Sequence, residues 1–147
     1  MRRHRGVLFM ATLLTGCSGG LKEFPVAEVS GVVLCEGQPV PFAKVQFNPQ
    51  AAGGSKSAEV GKPGFAFADK DGKFVLSTYG EGDGAVVGKH TVTAVPDSAH
   101  PCNCHSDDIT PLMEVEVKAG EANEFEVQVP LKKRNLQPSP DPFSDPE

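Results

Sequence analysis

Apolar and polar residues alternate one for one along several stretches of this chain, and that period of two fixes the kind of structure it can build. Glu124-Phe-Glu-Val-Gln-Val129 sets Phe125, Val127 and Val129 on one face and Glu124, Glu126 and Gln128 on the other. Ala43-Lys-Val-Gln-Phe-Asn48 does the same, with Ala43, Val45 and Phe47 opposite Lys44 and Gln46. Side chains of an extended strand point to opposite faces in turn, whereas a helix repeats about every 3.6 residues, so these stretches read as half-buried strands. Further strand-like runs are Val26-Ala-Glu-Val-Ser-Gly-Val-Val-Leu-Cys35, Phe65-Ala-Phe-Ala68, Lys73-Phe-Val-Leu-Ser-Thr78, Lys89-His-Thr-Val-Thr-Ala-Val95 and Leu112-Met-Glu-Val-Glu-Val-Lys118. Turn-forming residues separate them: Glu36-Gly-Gln-Pro39, Asp69-Lys-Asp-Gly72, Pro96, and Ala119-Gly-Glu-Ala-Asn123. One apolar and one polar face per strand argues for antiparallel sheets with one solvated side. Two such sheets packed face to face make a sandwich. The expected fold class is all-β, a seven-stranded antiparallel β-sandwich.

The N-terminus is of a different kind. Arg2, Arg3 and Arg5 precede the apolar run Gly6-Val-Leu-Phe-Met-Ala-Thr-Leu-Leu14, which leads into Thr15-Gly-Cys17-Ser18. This reads as an export signal. The apolar run is shorter than the about 17–25 residues that a membrane-spanning helix needs. Leu14-Thr-Gly-Cys17 resembles the lipobox of bacterial lipoproteins. That resemblance implies removal of residues 1–16, acylation of Cys17 (palmitate among its chains) and a lipid-anchored tether over residues 17–25. More than one acyl chain gives stable attachment where one is marginal. Ser18 after the cysteine, rather than Asp, implies the outer membrane, facing the periplasm or the cell surface.

Residues 132–147 hold Pro138, Pro140, Pro142 and Pro146 among Ser and Asp, too little apolar surface to fold, and are expected to be disordered. The folded unit is expected over residues 26–131. Net charge is −5, and loss of the three signal arginines with no acid takes it near −8. No basic patch or motif points to nucleic acid.

The strand segments carry a family pattern. Val29-Ser-Gly-Val-Val33, Gly37-Gln-Pro-Val-Pro-Phe-Ala-Lys-Val-Gln-Phe47 and Ala68-Asp-Lys-Asp-Gly-Lys-Phe-Val-Leu76 resemble the carboxypeptidase regulatory-like, or transthyretin-like (prealbumin-like), β-sandwich. Gly82-Asp-Gly-Ala-Val-Val-Gly-Lys-His-Thr-Val-Thr93 is similar to the form found in small planctomycete lipoproteins, in which a final strand pair closes the domain. The usual Thr-Asp of the turn is Ala68-Asp69 here. The resemblance implies a non-enzymatic structural, surface or binding module.

The candidate chemistry is sparse. Asp69 and Asp71 match the start of a calcium loop, but such a loop spreads its ligands over about 12 positions between two helices. Asp69-Lys-Asp-Gly72 therefore reads as a plain turn, and Glu81 and Asp83 as loop residues. His90 opens a strand beside Gly88, with a surface position expected and no catalytic role. No nucleophile elbow, zinc-protease helix or phosphate loop is present, so the chain is expected not to be an enzyme and to need no cofactor.

His100-Pro-Cys102-Asn-Cys104-His105 is the unusual segment. Two thiols and two imidazoles suit a soft metal such as Zn²⁺ or Cu⁺. An exported protein favours oxidised cysteines instead. With Cys17 acylated, Cys35, Cys102 and Cys104 remain, an odd number that leaves at least one unpaired within the chain. A disulfide from Cys35 to Cys102 or Cys104 is the expected arrangement, with metal ligation by His100, Cys102, Cys104 and His105 the lesser alternative. The leading functional reading is a lipid-anchored cell-envelope protein with a structural or protein-contact sandwich. It would be held to membrane lipid through Cys17 and face an envelope protein or peptidoglycan-associated partner. Metal or glycan binding is the alternative, and a glycan platform would need exposed aromatics, of which, among the phenylalanines of residues 26–131, only Phe42 lies outside a clear strand.

Overall fold

A computed structural model describes residues 23–51 and 60–132. Residues 1–22, Cys17 among them, and residues 133–147 lie outside it, as do the signal, lipidation and tail assignments that rest on them. Within the described residues the fold is all-β. In chain order the strands are β1 (Val26–Ala27), β2 (Val29–Cys35), β3 (Gln38–Pro39), β4 (Lys44–Pro49) and β5 (Gly64–Phe67). They continue as β6 (Lys73–Val75), β7 (Ala85–Val86), β8 (Gly88–Val95), β9 (Met113–Val117) and β10 (Asn123–Gln128).

These ten strands form three sheets rather than the seven strands expected. The extra strands are two-residue pieces: β1 is cut from β2 at Glu28, β3 is the returning arm of a tight turn, and β7 is the partner of β1. In the first large sheet β2 is flanked by β10 on one edge and by β6 and β3, placed along its other edge. In the second the order is β5-β4-β8-β9, antiparallel throughout.

Two pairings depart from the expected pattern. β10 lies parallel to β2, with Asn123 beside Val29 and Gln128 beside Leu34. β9 and β10 do not form a closing strand pair, because the 118–122 connection carries the chain from one sheet to the other. Asn123 holds that connection: its side-chain amide donates to the carbonyls of Glu28, Lys118 and Glu121, and its side-chain oxygen accepts from the Lys118 N–H.

The two four-stranded sheets share one core. Phe47 of β4 lies 6.3 Å from the Phe74 ring of β6 and 5.7 Å from the Phe125 ring of β10, which places the sheets face to face across it. Val29, Val33, Val45, Leu76, Val92 and Val127 fill the same cluster. The expected inward faces of β4 and β10 are the observed ones. Gly31 is a place where no side chain fits: a Cβ there would stand 2.0 Å from the Phe125 carbonyl oxygen and 2.7 Å from the Phe74 ring. Gly84 is another, where a Cβ would stand 1.8 Å from the Ala27 carbonyl oxygen.

The turns are built as their residues require. Glu36 (φ 49°) and Gly37 (φ 76°) join β2 to β3, both left-handed, as a two-residue hairpin turn demands. Asp69 is a turn residue: its Oδ1 accepts the N–H groups of Asp71 and Lys73, which holds its carboxyl below the usual carboxylate range. Asp83 organises the loop before β7, accepting the N–H groups of Thr78, Tyr79 and Gly80. Partial burial pushes its pKa up, but those hydrogen bonds outweigh it and the net shift is down.

Candidate functional site: an aromatic groove with an acidic rim

The site begins with an inversion on β5. Gly64, Ala66 and Ala68 turn inward, while Phe65 and Phe67 turn outward and are 50% and 67% exposed. Small residues fit here because β5 crosses the sheet beside Val45 and Phe47, which already fill the core. Phe65 and Phe67 stand across from Gln46 and Lys44 on the outer face of the second sheet. An isolated exposed apolar residue needs no explanation, but a group of large ones marks a surface that meets something.

Phe42 joins them. It is 39% exposed and sits at φ 57°, after Pro41, in a turn position that usually takes glycine. Holding a phenylalanine in the left-handed region costs about 1–2 kcal/mol. Its N–H donates to the Asp69 carbonyl at 3.2 Å, which locks the turn against the loop after β5. Strain of this kind at an exposed aromatic residue is a pointer to function.

The loop after β8 completes the site. Phe42, Lys44, Phe67, Val95, Pro96, Asp97, Asp107 and Asp108 are among the residues lining a groove of about 500 Å³. The His100 ring packs on Phe42 with centroids 4.4 Å apart, and His100 Nδ1 meets Asp97 Oδ2 at 2.6 Å. That contact, above all, holds the Asp97 carboxyl below its ordinary value. Asp107 is a loop cap: Oδ1 accepts the N–H groups of Thr110 and Ile109, and Oδ2 accepts the Thr110 hydroxyl. These bonds lower its pKa as well. Ser106 donates its hydroxyl to the Ala94 carbonyl and ties the loop to β8.

The cysteines anchor this loop. Cys35 at the end of β2 is bonded to Cys104, closing a sequence separation of 69. Residues on either side of Cys104 pair with the chain after β10: His105 N–H with the Pro130 carbonyl, and Lys132 N–H with the Asn103 carbonyl. Cys102 is a free, half-buried thiol whose Sγ lies 3.8 Å from the Cys104 carbonyl. The metal candidates are thus dispersed in role: Cys104 is in the disulfide, His100 is on Phe42 and Asp97, and His105 is exposed. Among the described residues no group of three His, Cys, Asp or Glu side chains is placed to hold a metal ion.

His90 corrects the surface position expected for it. It is fully buried, with its ring 6.0 Å from Phe47 and its Nε2 2.6 Å from the Val86 carbonyl. Among the described residues its Nδ1 has no hydrogen-bond partner. Burial pushes its pKa down, against the opposing pull of the Val86 and Phe47 carbonyls. The sequence did hold the signal, since His90 has the same parity as the inward Val92 and Ala94.

No family model matches the chain, and no curated protein matches it. A crystal structure of a DUF3823 family protein from Parabacteroides merdae aligns at 18% identity with a TM-score of 0.42, covering 73% of this chain and 47% of that one. The chain thus spans about half of that protein's length.

Proposed function

We propose that this is a non-enzymatic, lipid-anchored cell-envelope protein whose transthyretin-like β-sandwich serves as a protein-contact module, and that the groove between Phe42 and Phe67 is its contact surface. The observation that carries the contact reading is the inversion on β5, where two phenylalanines face solvent and glycine and alanine face the core. Core packing does not ask for rings that large on the outer face, because half of the Phe65 surface and two thirds of the Phe67 surface stay in solvent. The exposed rings offer a partner apolar area worth about 25 cal/mol per Å² buried. The lipid anchor is supported by the basic, apolar and small-residue order that ends at Cys17. The transthyretin-like identity is supported by the motif order, and by Gly31, whose place in Val29-Ser-Gly-Val-Val33 has a physical reason.

Two measurements test this. Intact mass of the protein extracted from its native membrane should show a chain that starts at an acylated Cys17; an unlipidated N-terminus removes the anchor. Native electrophoresis of the same extract should show the wild type in an assembly larger than one chain. The Phe42→Ser/Phe65→Ser/Phe67→Ser variant should be folded and released from that assembly. An assembly that keeps the variant sinks the contact reading.

A further inference from the structure

We propose that the groove takes a peptide segment that carries lysine or arginine; this rests on the contact reading and names its partner. Charge is the first argument. Asp97, Asp107 and Asp108 stand on the groove against the one ammonium of Lys44. The walls are the second. Phe42 and Phe67 lie beside those carboxylates, and the methylene stems of lysine and arginine run along aromatic surface while their heads reach acidic groups. A guanidinium over a phenyl face adds an electrostatic attraction to the ring of its own.

The state of the carboxylates decides between a cation and a neutral sugar. A sugar is recognised by hydrogen bonds to its hydroxyls, and these need free acceptors. Asp107 already accepts two N–H groups and a hydroxyl, and Asp97 is taken by His100. Both keep their charge, and Asp107, with three contacts already on its carboxylate, has little acceptor capacity left to offer a hydroxyl. Charge acts at a distance through an engaged carboxylate, whereas a hydroxyl needs the lone pair itself. A second copy of this chain is disfavoured on the same ground, since two acidic grooves would repel.

The test is fluorescence polarisation on the full chain in detergent. One probe is a labelled peptide that alternates arginine with valine; its counterpart alternates glutamate with valine. The arginine peptide should bind and the glutamate peptide should not, and affinity should fall about tenfold or more as salt rises from low to high. Asp108→Asn and Phe67→Ser should each weaken binding about three- to fivefold. Glu124→Gln/Glu126→Gln, which removes twice the charge of Asp108→Asn on the other sheet, should leave it unchanged.

Equal loss in that distant variant would mean unspecific charge attraction and would overturn the proposal. So would binding of chitotetraose that competes with the peptide, or no peptide binding at all. A chain cut after Lys132 that binds far more tightly would place its own residues 133–147, with Lys133 and Arg134, in the groove instead. Failure of the peptide while the phenylalanine variant still leaves its native assembly would sink the partner chemistry and spare the contact reading.

Discussion

His90 makes the stability of this domain depend on pH, in a direction the structure sets. Its ring is fully buried, its Nε2 donates to the Val86 carbonyl, and among the described residues its Nδ1 lacks a partner. The folded state therefore prefers the neutral ring, with a pKa below the ordinary value of 6.5 because burial penalises the charged form. The unfolded chain titrates near that value. Above it both states are neutral and the full stability is present. As pH falls through 6.5 the unfolded chain takes up a proton that the folded chain refuses, and stability declines. In the limit where the folded ring stays neutral throughout, lowering the pH from about 7.5 to about 5.5 costs at most about 1–2 kcal/mol. The depressed carboxylates Asp69, Asp83, Asp97 and Asp107 act in another window. Their stabilisation is present above the ordinary value of 3.8 and is lost only as pH falls below it. Urea unfolding read by far-ultraviolet circular dichroism suits a chain with no Trp and one Tyr. His90→Gln keeps a donor for Val86 and does not titrate, so its unfolding free energy should stay flat over the same interval. A pH slope that survives in His90→Gln, or a wild type that gains stability on acidification, would refute the reasoning.

Opening the Cys35–Cys104 bond by Cys35→Ser/Cys104→Ser should cost roughly 2–4 kcal/mol, the upper end following from the long loop it closes, read as a lower urea midpoint. Peptide mapping of the alkylated native protein should find Cys35 linked to Cys104 and the label on Cys102 alone. Gly31→Ala should cost about 2–3 kcal/mol, because its methyl would meet the Phe125 carbonyl, and a thermal midpoint within a degree of wild type would contradict that packing. Phe42→Gly should leave the urea midpoint unchanged or raise stability by about 1 kcal/mol through relief of the left-handed backbone, while removing one of the groove's two aromatic walls.

What could be read in advance follows from the range of each signal. Alternation is local, so the inward faces of β4 and β10 were legible from Val45, Phe47, Val127 and their neighbours. Pairing is not local, so nothing in residues 123–128 announced that they lie parallel to β2. On β5 the period was plain but the phase was not. Phe65-Ala-Phe-Ala invites the larger residues inside, and only the neighbouring Val45 and Phe47, brought there by the sheet, reserve that space. Cys102 and Cys104 have the same parity, so alternation could not choose between them for Cys35. The bridge between Cys104 and Leu131 made the choice. The groove was illegible for the same reason, as Phe42, Phe67 and Asp107 meet only once the loop is tied to β8 by Ser106.

The parallel alignment of β2 and β10 has a mechanical consequence. The chain enters the sandwich at the Val29 end of this pair and leaves it past the Gln128 end, on the opposite side. A pull between the entering and leaving segments slides the two strands along each other. The rungs from Val29 to Leu34 then share the force and must give way together, whereas an antiparallel pair would open one rung at a time. A domain held to a membrane by one end and to a partner by the other would meet tension along its stiffest direction.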